Sequence, residues 1–88
     1  MAGEEVIMQQ AFLLINAEPG KLWKIANSAL RVEGVKMAYA VTGAFDVIAY
    51  AEVVDMSELG TLITAIQSID GVTRTQTAVS IPPRVDQV

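Results

Sequence analysis

Apolar positions fall in six blocks along the chain, and the spacing within them alternates between two kinds. Residues 8–17, MQQAFLLINA, and residues 45–54, FDVIAYAEVV, are nearly continuous apolar runs, the second rich in the β-branched and aromatic residues that strands favour. Each is followed by a stretch of helical period. Leu59, Leu62, Ile63 and Ile66 fall at i, i+3, i+4, i+7, and Leu22, Ile25, Ala26 and Ala29 repeat that spacing, with Trp23 and Leu30 widening the face. Lys24, Asn27, Arg31, Thr61, Thr64 and Gln67 take the outer sides. Pro19 suits a first helical turn, where its missing N–H costs nothing. Ser57 reads as the N-cap of the second helix, with Glu58 just inside it.

Two short phrases punctuate this plan. Val32-Glu33-Gly34-Val35 and Ile69-Asp70-Gly71-Val72 stand 37 residues apart, each after a helical stretch and before a strand-like one, VKMAYAVT or VTRTQTAVSI. Glycine where a helix stops fits a left-handed C-cap, so the spacing predicts a helix exit and a strand entry in each half. The order is β-α-β-β-α-β, the ferredoxin-like split plan. Its halves join through Thr42-Gly43-Ala44-Phe45, where glycine fits a two-residue type II′ hairpin turn. The fold class expected is α+β, with four antiparallel strands carrying both helices on one face.

The face without helices is the more telling one. Strand alternation groups Val35, Met37, Tyr39 and Val41 on one side, and Phe45, Val47, Ala49, Ala51 and Val53 on one side of the next strand, opposed by Ile48, Tyr50 and Val54. Neither side is cleanly polar, as a half-solvated antiparallel sheet should be. A second subunit is therefore expected to cover it.

Composition agrees. The chain of 88 residues is 52% hydrophobic and 18% charged, with a mean hydropathy of +0.42, which is greasy for one small domain. No apolar run approaches the roughly 20 residues of a spanning helix, and the acidic start MAGEEV lacks the basic region of a signal peptide. Net charge is −4 with six scattered Lys and Arg, a poor basis for binding nucleic-acid phosphates. Cysteine and histidine are absent, which removes thiolate chemistry, the commonest general base near neutral pH, and the usual zinc ligands. No metal and no cofactor is expected.

Chemistry has two places to sit. In Val41-Thr42-Gly43-Ala44-Phe45-Asp46, glycine exposes backbone groups and Asp46 offers a carboxylate, so a ligand ammonium could meet Asp46 and a ligand carboxylate the N–H groups; a plain hairpin turn is the alternative. In Thr73-Arg74-Thr75-Gln76-Thr77 the threonines point to one side as a row of hydroxyls, which is also ordinary for an edge strand. Trp23 reads as core or interface, Tyr39 and Tyr50 as packed, Glu33 and Asp70 as solvated turn residues.

At these residues the sequence resembles a family. A strand ending V-T-G, a variable residue, an aromatic and Asp, followed by a helix, I-x-G-V and T-x-T, is similar to the ligand-binding (RAM) domain of Lrp/AsnC transcriptional regulators, over about residues 8–81. The resemblance implies a dimeric α/β-barrel assembly, sheets packed face to face and dimers joining into octamers or decamers. It also implies an amino acid or similar small effector held by Thr42, Gly43, Ala44, Asp46, Thr75 and Thr77. Phe45 stands where Tyr is frequent. About seven residues precede the first strand, where full-length regulators carry a helix-turn-helix domain, so the expectation is a RAM module acting through assembly or a full-length regulator, without direct DNA contact. The division expected is a lead-in (1–7), the RAM-like domain (8–81) and a tail (82–88) that Ile81-Pro82-Pro83 detaches from the last strand. A cytoplasmic, non-enzymatic homo-oligomer is the reading; a small enzyme of the dimeric α/β-barrel type and a purely structural module are the alternatives.

Overall fold

The computed structural model describes residues 8–81, so the expected lead-in and tail lie outside the described residues. Within them the order is β1 (Gln9–Ala17), α1 (Leu22–Ala29), β2 (Val35–Ala40), β3 (Val47–Val53), α2 (Met56–Gln67) and β4 (Val72–Val79). The four strands form one sheet in the order β2-β3-β1-β4 with every neighbouring pair antiparallel. This is the expected ferredoxin-like arrangement.

Alternation along the two central strands builds the core. Ala11, Leu13 and Ile15 of β1 and Val47, Ala49, Ala51 and Val53 of β3 are buried beneath Ile25, Ala26 and Ala29 of α1 and Leu59, Leu62 and Ile66 of α2. The small alanines of the sheet let the helices approach closely. Trp23 and Leu30 do not widen the buried face: they are 69% and 47% exposed, because their positions turn them off the stripe that Ile25 and Ala29 define.

The helix starts differ from expectation. Pro19 and Gly20 form a turn ahead of α1, with Gly20 at φ +85°, and the helix begins only at Leu22. At α2 the cap is Asp55 instead of Ser57. Its carboxylate accepts the Glu58 N–H at 2.9 Å while Glu58 Oε1 accepts the Val54 N–H at 2.9 Å, a reciprocal arrangement of the capping-box kind.

The repeated glycines do have positive φ, +98° at Gly34 and +99° at Gly71, yet neither is a helix cap. The helices end at Ala29 and Gln67, and each phrase is a β-turn beyond its helix. Val35 N–H donates to Val32 C=O at 3.1 Å and Val72 N–H to Ile69 C=O at 3.2 Å. Positive φ confined to the third residue is the mark of a type II turn, which asks for glycine there. Each turn docks on other parts of the chain. Gly34 C=O accepts from Glu52 N–H at 2.9 Å, and Gly71 C=O from Glu18 N–H at 2.8 Å. A Cβ on Gly34 would meet Leu62 Cδ1 of α2, and one on Gly71 would meet Lys21, just before α1.

A register shift between Val35 and Met37 corrects the expected facing of β2. Val35 is buried on the helix side, but Met37 and Tyr39 pair with Tyr50 and Ile48 on the other side. The helix-free face therefore carries two apolar rows across the sheet, Met37–Tyr50–Phe12–Ala78 and Tyr39–Ile48–Leu14–Gln76. Phe12, Met37 and Tyr39 are 41%, 46% and 56% exposed, and the Phe12 and Tyr50 rings lie 5.3 Å apart. Among the described residues no helix is long and apolar enough to cross a membrane.

Candidate functional site

Where β2 turns into β3 the connection is a six-residue loop, Val41–Asp46, and not the expected two-residue hairpin. The Val41 N–H donates to Asp46 C=O at 2.9 Å and closes the loop. Gly43 at its tip has φ +118° with open space where a Cβ would stand. Conformation alone therefore selects glycine there. Thr42, Gly43 and Ala44 are exposed, and Asp46 is half-buried at the base.

Two side chains fasten this loop to the end of β1. Asp46 Oδ2 accepts the Ala17 N–H at 2.8 Å, and Asp46 N–H donates to Ile15 C=O at 2.9 Å. Asn16 Nδ2 donates to Ala44 C=O at 2.9 Å. Beyond Val47, where the β1–β3 pairing ends, side-chain bonds thus hold the loop against β1. One oxygen of Asp46 is committed to the backbone, and Oδ1 has no hydrogen-bond donor among the described residues. Asn16 is a residue that sequence reasoning missed. Its signal was a lone amide closing the run Leu13-Leu14-Ile15, just ahead of the Pro19-Gly20 turn.

The T-x-T pair lies elsewhere within one chain. Ile15 of β1 pairs with Val47 on one side and Thr75 on the other, and Leu13 pairs with Ala49 and Thr77. Two strand spacings, about 10 Å, separate Thr75 from the base of the loop. Both threonines are half-buried on the helix side. Gln67 Nε2 donates to Thr75 Oγ1 at 3.1 Å, and Thr73 Oγ1 donates to Asn16 C=O at 3.2 Å, so two hydroxyls of the expected row are already engaged. Gln67, Val72, Thr73, Arg74 and Thr75 line an open hollow of about 240 Å³ at the outer edge of β4.

Charge is organised away from the loop. Asp70 accepts from Lys21 Nζ and Lys24 Nζ, both at 2.9 Å, and is thus an anchor of α1 as well as the exposed turn residue expected. These hydrogen bonds, Lys21 first, hold its carboxyl down at about 2. Tyr50 donates to Glu52 Oε2 at 2.8 Å, and that bond raises the phenol above its ordinary value. Among the described residues no three carboxylates gather as a metal site would require.

Comparison with known proteins relates the chain to a family of regulators. The family model for the Lrp/AsnC ligand binding domain covers residues 10–86. An uncharacterized HTH-type transcriptional regulator of Pyrococcus abyssi is 33% identical over 79 residues, covering 89% of this chain and 48% of the relative. The chain spans about half the length of the curated relatives it matches. The crystal structure of TTHA0845 from Thermus thermophilus superposes with a TM-score of 0.82 at 28% identity, covering 89% of this chain and 98% of that one. A Neisseria meningitidis transcriptional regulator solved in complex with L-Met shares the fold, with a TM-score of 0.76 at 20% identity over 92% of this chain and 54% of its own.

Proposed function

The chain belongs to the Lrp/AsnC ligand-binding domain family, and from that premise we propose that it is an amino-acid effector-binding and oligomerisation module. The observation that carries the effector reading is the fastened loop. Its tip exposes the backbone at Thr42, Gly43 and Ala44, and its base presents Asp46 with one oxygen spoken for and the other without a donor among the described residues. An ammonium group meets Asp46 Oδ1, while loop N–H groups meet a carboxylate. Thr75 and Thr77, remote within one chain, join the site from a neighbouring subunit, which couples occupancy to assembly by linkage. L-methionine, the ligand of the Neisseria relative, is the first candidate.

The assembly half of the proposal rests on the helix-free face. Its two apolar rows contain large side chains left half-exposed by their own chain, and burial against a second copy removes them from water. Dimers formed this way then join into octamers or decamers. With a net charge of −4 and scattered cations, the module works through assembly or through a full-length Lrp/AsnC regulator in the cytoplasm. It neither reads DNA itself nor catalyses a reaction.

A thermal-shift screen of the twenty amino acids, followed by calorimetry, tests the site. In Asp46→Asn the amide oxygen still accepts the Ala17 N–H, so the loop persists while the charge is lost. Affinity should fall roughly ten- to a hundredfold, the worth of one hydrogen bond to a charged group. Unchanged affinity in a folded variant, or no binder to wild type, removes the effector reading and leaves a structural module.

A further inference from the structure

Resting on that effector reading, we propose that Arg74 reads the carboxylate of the bound effector while Asn16 joins Asp46 in holding its ammonium, which restricts the ligand class to free α-amino acids. The helix-free face has two polar ends beyond its apolar rows. At one end Gln10 pairs with Glu52, whose carboxylate is taken by the Tyr50 hydroxyl. There the acid is engaged by a hydroxyl of its own strand. At the other end, Asn16 pairs with Arg74 of β4, and Asn16 is tied to the Val41–Asp46 loop on its opposite flank. This end sets an acid and a cation in line across the sheet, in the order Asp46, Asn16, Arg74.

The spacing suits a zwitterion. Asp46 Oδ2 is drawn to 2.8 Å from the β1 backbone at Ala17. It lies on the β3 flank of β1, so roughly 8 Å separates it from the strand that carries Arg74. An α-amino acid presents its ammonium and its carboxylate on adjacent atoms, so one molecule spans Asp46 and the tip of a long arginine. Loop N–H groups alone offer partial charges, whereas guanidinium offers a full charge and a planar fork matched to a carboxylate. Arg74 is exposed and forms no ion pair among the described residues, so it has no competing carboxylate to leave. Asn16 Nδ2 is occupied by Ala44 C=O, which leaves Oδ1 as a neutral acceptor between the two charges for a second ammonium hydrogen.

Calorimetry on the assembled wild-type protein with L-methionine and its amino alcohol, L-methioninol, tests this. Should another of the twenty amino acids bind more tightly, that amino acid and its alcohol are the pair. Wild type should prefer the amino acid at least tenfold. Arg74→Gln should lose that preference by weakening the amino acid and leaving the alcohol unchanged, and Arg74→Lys, which keeps the charge without the fork, should fall between. Asp46→Asn should weaken both ligands alike. Light scattering and melting temperature should be the same for wild type and Arg74→Gln. If Arg74→Gln retains the full preference, the carboxylate is read elsewhere and this inference is wrong while the effector reading stands. If none of the twenty binds wild type, both fall together.

Discussion

Both faces of the sheet carry apolar side chains at their centre, and the helices cover only one of them. On the covered face, Ala11, Leu13, Ile15, Val47, Ala49 and Ala51 are fully buried beneath the helices. On the open face, Phe12, Leu14, Ile48 and Tyr50 alternate with them along the same strands, Met37 and Tyr39 of β2 lie beside them, and all six remain half-buried or exposed. Residue size separates the faces as well. The covered face uses alanine at Ala11, Ala38, Ala49 and Ala51, so that helices can settle close to the backbone, and the open face carries the rings of Phe12, Tyr39 and Tyr50. Side chains that large, arranged in rows, suit a flat partner better than a helix. Apolar residues line both faces, and the helices decide which one the chain closes by itself.

Leu13 and Phe12, neighbours on β1, face opposite sides of the sheet. Leu13→Ala opens a cavity in the closed core and should cost about 2–5 kcal/mol of unfolding free energy, whatever the protein concentration. Phe12→Asp, one residue along, should preserve the circular-dichroism spectrum and abolish assembly, so that melting no longer depends on concentration. Chemical denaturation across a hundredfold dilution series distinguishes them. Equal behaviour of the two variants would mean that the faces do not differ in the way described, and a wild type that scatters light as a monomer would leave the open face without its partner.

The ends of the covered face give a second, smaller test. Gly34 and Gly71 share nearly the same φ, so an added side chain is strained at both. Their surroundings differ. A Cβ at Gly34 would stand 2.9 Å from Leu62 Cδ1, the tip of a side chain that can turn aside, but one at Gly71 would stand 2.8 Å from Lys21 Cβ and Cγ, held close to the backbone. Alanine at either position should cost roughly 1 kcal/mol or more for the backbone conformation, with Gly71→Ala the costlier. Denaturant midpoints for the two single variants check the order. Equal costs would show that φ, and not the packing of each turn on its neighbour, sets the requirement.

How much of this is legible in the chain follows the same division. Element order, the α2 stripe and the positive φ of both glycines depend on local periodicity and on one residue's allowed angles, and these are written directly in the sequence. What the pattern misplaces depends on hydrogen bonds between distant segments. The loop Val41–Asp46 reads as a tight hairpin because the sequence does not reveal that Asp46 and Asn16 bond across to β1 and the loop. The bulge after Val35 turns Met37 and Tyr39 to the other face, and strict alternation cannot register one extra residue. Ser57 and Asp55 both suit an N-cap by type, and only the Glu58 partnership decides for Asp55. At the candidate site, the loop residues are visible in the sequence and the roles of Asn16 and Arg74 are not, since their alignment exists only once β1 and β4 are in register.

The smallest effect is expected at the rim of the covered face, where Asp70 of the second turn holds Lys21 and Lys24 beside α1. This contact ties the two halves together on the helix side and has no counterpart on the open face among the described residues. In the folded chain the Asp70 carboxyl is lowered from 3.8 to about 2, chiefly by the Lys21 hydrogen bond and then by that of Lys24. A lowered carboxyl favours the folded state wherever the unfolded chain is ionised as well, so the contribution is complete above about pH 4. Between about pH 4 and 2 the unfolded chain takes up its proton first, and the contribution shrinks; below 2 it is gone. The pair is largely exposed, so solvent and salt screen it. Asp70→Asn should therefore lower the melting temperature slightly at neutral pH, and the two curves should converge as pH falls through that window. High salt should narrow the gap at neutral pH. A difference that persists undiminished at pH 2 would assign the effect of Asp70 to the shape of its turn, and the clasp between the halves would then be the glycine turns alone.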